Sequence, residues 1–207
     1  MGRIVAAMLL AMLLTGCAAP PDETPVSDSV PAPAGRMERM STSMVESSAR
    51  PLLESEILGA YERAQRVYGW FDLAPLPASE ESVTLNGVVY HRVDMEGVRD
   101  LEDLRTYLRG VFSQELADRL LDGRTARIQY RNIGGLLYVS GEPRELDAGK
   151  GQAWVETEQL EENLYSVNVV VDLLAEDGET VVGLESWSFP YAFEEDRWVF
   201  TDFRLIA

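Results

Sequence analysis

The feature that most limits how this chain can fold is the run from Asn163 to Leu174, where Tyr165, Val167, Val169, Val171 and Leu173 occupy every second position. Residues two apart share a face of a strand and not of a helix, and branched side chains suit an extended backbone. The run is therefore a strand with one apolar face, which needs antiparallel neighbours and a cover for that face.

The sequence supplies the neighbours. Trp154 to Gln159 precedes the run; a turn at Glu176-Asp177-Gly178 follows it and leads into Glu179 to Phe189. Glu194, Glu195 and Asp196 then lead into Trp198 to Leu205. Upstream, Arg127 to Arg131 turns through Asn132-Ile133-Gly134-Gly135 into Leu136 to Ser140. Asn86-Gly87 between Val83–Leu85 and Val88–Val93 is a two-residue hairpin signal, because both central positions of that turn need positive φ.

The cover is helical. Leu53, Ile57, Ala60, Ala64, Val67/Tyr68 and Phe71 recur at three- and four-residue spacing, predicting a helix over about 52–71 that Pro75 and Pro77 end. Asp100 opens a short helix with an acid three positions on, and Gly110 closes it; Ser113 opens another, and Gly123 closes it. Leu101, Leu104 and Leu108, then Phe112, Leu116 and Leu120, are their buried stripes. Helices first and a long meander second give an α+β class, with N-terminal helices packed on a curved antiparallel sheet that wraps the first helix. This folded part is expected to span 49–207.

The N-terminus has a different character. Arg3 precedes an apolar run, Ile4 to Leu14, that would be a helix of roughly 16 Å. A bilayer core of about 30 Å needs about 20 apolar residues, so residues 1–16 read as a cleaved signal rather than a span. Leu14-Thr15-Gly16-Cys17 resembles the bacterial lipobox, which implies cleavage before Cys17, lipidation of its sulfur and a stable membrane anchor at the outer face of the cell membrane. Ala18 directly follows Cys17, so the acidic signal that would retain a lipoprotein at an inner membrane is missing. Residues 17–48 hold five of the ten prolines among Ser, Thr and Ala, and read as a disordered tether with a reach of roughly 30 Å. Cys17 is the sole cysteine, so the mature domain has no disulfide, zinc-thiolate or cysteine-nucleophile chemistry.

Formal net charge is −17. Residues 50–145 carry 16 acids and 12 bases, whereas 146–207 carry 14 acids and only 3 bases, Lys150, Arg197 and Arg204. Such a field repels nucleic acid and attracts cationic partners, or serves solubility.

Residues with catalytic potential are few. The only histidine, His91, has no serine or acid at a recognisable spacing and reads as a partly buried structural residue rather than a general base. Gly-x-Ser-x-Gly, His-Glu-x-x-His and phosphate-binding glycine loops are absent. Two acidic clusters stand out, Glu156, Glu158, Glu161 and Glu162 in one, Glu194, Glu195 and Asp196 in the other. Both fall at expected hairpin tips and read as solvated, partner-binding rims. Glycoside cleavage would need two carboxylates at a set distance, and Asp177-Gly178 lacks the spaced ligands of a calcium loop. Neither catalytic residues, a metal site nor a cofactor is expected. Trp70, Phe71, Trp154, Trp187, Trp198, Phe200 and Phe203 could line a groove, but at their spacing read as core.

Several stretches together resemble a known family: Tyr68-Gly69-Trp70-Phe71, then Glu102 to Leu108, Phe112 to Leu121, Ile133 to Tyr138, Phe189-Pro190-Tyr191 and Trp198 to Phe203. They are similar to the D,L-endopeptidase inhibitors of bacilli (IseA-like) and related clostridial lipoproteins, over about 57–203. The resemblance implies a cystatin-like or NTF2-like domain that docks on an NlpC/P60-type cell-wall hydrolase and blocks its cleft. The bacillus inhibitor is freely secreted, unlike a tethered lipoprotein. The alternative is an NTF2-like scaffold or small-ligand-binding lipoprotein, expected to hold an apolar pocket between the first helix and the sheet.

Overall fold

The computed structural model describes residues 49–123 and 126–206. The expected signal segment 1–16, the expected lipidation site Cys17 and the expected tether 17–48 lie outside the described residues. Three helices and two antiparallel four-stranded sheets make a mixed α+β domain.

Helix α1 (Glu54–Asp72) starts where Glu56 folds back to accept the Leu53 N–H at 2.9 Å, while Arg50 pairs with the same carboxylate. It buries Ile57, Tyr61, Ala64, Val67 and Phe71. Leu53, placed on the buried stripe by spacing alone, is exposed at the helix start, and Tyr61 rather than Ala60 fills the second turn of the stripe. Strands β1 (Ala78–Leu85) and β2 (Val88–Val93) form a hairpin on Asn86-Gly87, with φ 51° and 80°. Helix α2 (Leu101–Arg109) is capped by Asp100, whose carboxylate accepts from Glu102 and Asp103 N–H groups, both at 3.0 Å. Helix α3 (Gln114–Leu121) is capped by the Ser113 hydroxyl. A second hairpin, β3 (Gln129–Ile133) and β4 (Leu136–Ser140), turns on Gly134-Gly135.

The remaining strands, β5 (Lys150–Glu161), β6 (Leu164–Leu174), β7 (Val181–Glu194) and β8 (Arg197–Phe200), form a meander in simple order. Tyr165, Val167, Val169 and Val171 of β6 are buried, as their alternation requires, and Leu173 is half-buried at the end of the face.

The single sheet expected from the sequence is two. Strand β4 pairs with β2, His91 opposite Val139 and Arg92 opposite Tyr138, giving the order β1-β2-β4-β3. The chain leaves this sheet at Gly141, whose φ of 136° turns the backbone tightly over Ile128. The loop that follows is tied to the end of α1: Arg144 donates its backbone N–H to the Leu73 carbonyl at 2.8 Å and its guanidinium to Asp72. Only then does β5 begin. His91 is exposed, not partly buried, although Val93 two residues on and Val139 opposite it, which share its face of the sheet, belong to the core: the cover of that face stops short of His91.

One core serves both sheets and all three helices. Tyr61 of α1 packs on Phe189 of β7 and on Phe203, with ring centroids 6.1 and 5.8 Å apart. Phe71, at the other end of α1, packs on Tyr130 of β3, whose hydroxyl donates to the Trp70 carbonyl and accepts the Leu76 N–H. The α2–α3 junction joins the meander directly: Ser113 N–H donates to the Phe200 carbonyl and Phe200 N–H to that of Val111, at 2.9 and 3.0 Å.

Candidate functional site

In a four-strand meander the first and third turns must lie at the same end, because each strand reverses direction. Here both of those turns are acidic, as is the β6–β7 turn at the other end with Glu176, Asp177 and Glu179. The β5–β6 turn carries Glu161 and Glu162; the β7–β8 turn carries Glu194, Glu195 and Asp196. Strand pairing brings them side by side: Leu164 lies opposite Ala192, and Phe193 N–H donates to the Asn163 carbonyl at 2.9 Å. Five exposed carboxylates thus share one end of the sheet. Arg197 is the base within these turns and reaches Glu195 at 2.8 Å. The start of α1 points to the same end, since Leu52 N–H donates to the Tyr165 hydroxyl at 3.1 Å.

The β7–β8 turn is unusual in composition. Glu195 and Asp196 have φ of 48° and 64°, the left-handed region that two other turns of this form among the described residues fill with Asn86-Gly87 and Gly134-Gly135. A side chain with a Cβ, and glutamate more than aspartate, is disfavoured there. Two carboxylates therefore stand where a purely structural turn would carry Asn-Gly.

Beneath the turns lies an aromatic layer. The Trp198 ring meets Tyr165, Tyr191 and Phe193 at centroid distances of 5.2, 5.6 and 5.5 Å. Burial pushes the Tyr191 hydroxyl up, against the lowering charge of Arg63.

Glu156 and Glu158 are not at a tip. The strand β5 continues through them because Val155 and Thr157 alternate toward the core between them, so both acids stand on the outer face of an edge strand. Glu156 lies opposite Asn168 and Glu158 opposite Ser166. The Asn168 side-chain oxygen accepts from the Ser166 and Ser188 hydroxyls at 2.9 and 2.7 Å, a polar patch next to the two acids. Seven candidate residues thus divide into five that converge and two that flank them.

Of the seven large aromatics, Phe71, Phe200 and Phe203 are core. Trp154 is 45% exposed on the outer face of β5, and Trp70, Trp187 and Trp198 are half-buried. Among the described residues, no group of three or more His, Cys, Asp or Glu side chains is placed to hold a metal ion, and no helix is long and apolar enough to cross a membrane.

Spacing gave no hint of a second place where charge gathers. Arg119 of α3 and Arg204, which follows β8, line one cleft with Trp187 of β7. The scarcity of bases after residue 145 was the available signal, since Arg204 is one of only three. No family model matches this chain, and none of the curated proteins matches it.

Proposed function

We propose that the protein is a lipid-anchored, non-catalytic lipoprotein of the cell envelope that binds and inhibits a cell-wall D,L-endopeptidase of the NlpC/P60 type. The acidic end of the β5–β8 sheet is its docking surface. The observation that carries this reading is the convergence of Glu161, Glu162, Glu194, Glu195 and Asp196 from two separate turns, one of which holds its acids in costly backbone. Such a surface suits a partner with a basic rim, where opposed potentials speed encounter and fix orientation. The finer fold reading, cystatin-like or NTF2-like, is supported by α1 lying in the face of a four-stranded antiparallel meander. Tyr61, Phe189 and Phe203 fill the middle of that interface and leave an open cleft at its edge beside Tyr68, which favours a role carried on the outside over the alternative of an apolar ligand enclosed between helix and sheet.

The test uses two variants of the full chain with equal charge change. Glu161→Gln with Glu162→Gln neutralises the proposed surface; Glu176→Gln with Glu179→Gln neutralises the exposed turn at the opposite end. Retention and slowing of a purified NlpC/P60-type hydrolase from the source organism are measured from low to moderate salt. The first pair should weaken retention about tenfold, some 1.4 kcal/mol, and flatten its salt dependence. The second should stay within about twofold. Equal effects of both pairs would reduce the acidity to net charge, and no effect of the first would remove this end as the surface. A hydrolase neither retained nor slowed would leave the scaffold or ligand-binding lipoprotein reading in its place.

A further inference from the structure

We infer that the cleft between α1, α3 and β7 binds a small carboxylate-bearing molecule with a flat apolar body. This goes beyond the docking surface and does not depend on it. The cleft has a volume of about 500 Å³, within the range of small-molecule sites. Its walls include Tyr68, Trp187 and Phe203, and its charged groups are Arg119, Arg204 and Asp202.

The electrostatics are inverted relative to the rest of the molecule. Residues 146–207 hold 14 acids and 3 bases, yet here two guanidinium groups meet one carboxylate. The guanidinium carbon of Arg204 sits over the Trp187 indole, 3.2 Å from the ring centroid, and the side chain forms no ion pair among the described residues. Stacking uses the face of the guanidinium and leaves its N–H edge free to donate in its own plane. Arg119 is held only at 3.5 Å by Asp202, which is itself largely exposed. A planar fork of donors matches a carboxylate with two parallel hydrogen bonds. The net surplus is one positive charge, which fits a monoanion; a phosphate dianion would face the Asp202 carboxylate without compensation. The indole and phenyl surfaces account for the apolar body.

The same apolar group carried on three charges separates this reading from nonspecific uptake. Equilibrium dialysis of the full chain is run with 2-naphthylacetate, its neutral amide and the matching amine, 2-(2-naphthyl)ethylamine. The carboxylate should bind with a dissociation constant below about 1 mM, at least tenfold tighter than the amide, and the amine more weakly still. Arg204→Met and Arg119→Met should each lower carboxylate binding at least tenfold. Asp202→Asn, an exposed substitution that does not threaten folding, should raise it severalfold. Absence of binding at about 1 mM, equal binding of acid and amine, or indifference to Asp202→Asn would each overturn the proposal. Displacement of the naphthylacetate by inorganic phosphate at equal concentration would overturn the carboxylate assignment.

Discussion

The β7–β8 turn offers the sharpest test of the link between stability and function. Replacing Glu195 by Asn and Asp196 by Gly would give it the residues that the chain itself uses at 86–87, where φ is nearly the same. A non-glycine residue in the left-handed region costs roughly 1–2 kcal/mol, less for Asp and Asn. Glycine at 196 returns part of that gain as unfolded-chain entropy, about 0.5–1 kcal/mol. The exposed Arg197–Glu195 pair, lost in the exchange, is worth about 0–1 kcal/mol. Summed, the double variant should be more stable by about 1 kcal/mol, or about 2–4 °C in Tm for a domain of this size. Removing two acids from a cluster of five adds in the same direction, so the urea midpoint should be compared at low salt and at about 1 M salt, where the Debye length is about 3 Å. A gain that survives high salt comes from the backbone. A gain confined to low salt, or a loss, would refute the claim that this turn is strained. The same variant should bind its partner less well, because strain retained at a surface turn is expected where the side chains serve something other than folding.

Gly141→Ala should cost about 1–3 kcal/mol in urea unfolding, since φ is 136° and a new Cβ would sit 3.0 Å from Ile128 Cα. Leu104→Ala, at a fully buried site of α2, should cost about 2–5 kcal/mol. Asp100→Ala removes the acceptor for two N–H groups and should cost about 1 kcal/mol, with the loss seen first as fraying of α2 in amide exchange. Asp177 is held down to about 2 by the Thr180 hydroxyl and then by backbone N–H groups. Its folded pKa is depressed from 3.8, so its contribution is complete above that value and is lost as pH falls toward 2. The difference in urea midpoint between the native chain and Asp177→Asn should therefore hold at pH 5 and shrink between pH 4 and pH 2; a difference independent of pH would remove this carboxylate as the cause.

Local signals carried much of the fold. The α1 stripe, the alternation of β6, the Asn86-Gly87 turn and the caps Asp100 and Ser113 each depend on residues within a few positions of one another, and each is where spacing placed it, save Leu53 and Ala60 in the first turns of α1. The division into two sheets was not legible, because it turns on β2 choosing β4 across more than forty residues. Nothing near Val139 marks His91 as its partner. Glu156 and Glu158 were misplaced for a related reason. A run of acids reads as a turn, yet an edge strand tolerates charge on its open face, and the inward Val155 and Thr157 decide the matter. His91 illustrates the complementary ambiguity: the period puts it on the face of Val93, and only packing says how far along the strand that face is covered.

The candidate surface was closer to legible than its parts. Each acidic cluster alone is a solvated turn, and only their meeting makes a surface. That meeting follows from strand parity: if four successive strands pair in order, turns one and three share an end whatever the side chains are. Loop lengths of two residues at both turns leave no room for any other pairing order. The cleft at Arg119 and Arg204 had no such rule, since its guanidinium groups come from α3 and from the segment after β8, 85 positions apart in the chain. What joins them is the docking of the α2–α3 junction on Phe200, through backbone hydrogen bonds and through Phe112 and Phe200 packing together on Phe203. Sites built on sheet parity can be read forward from sequence, whereas sites built where a helix junction meets a strand edge depend on the finished fold.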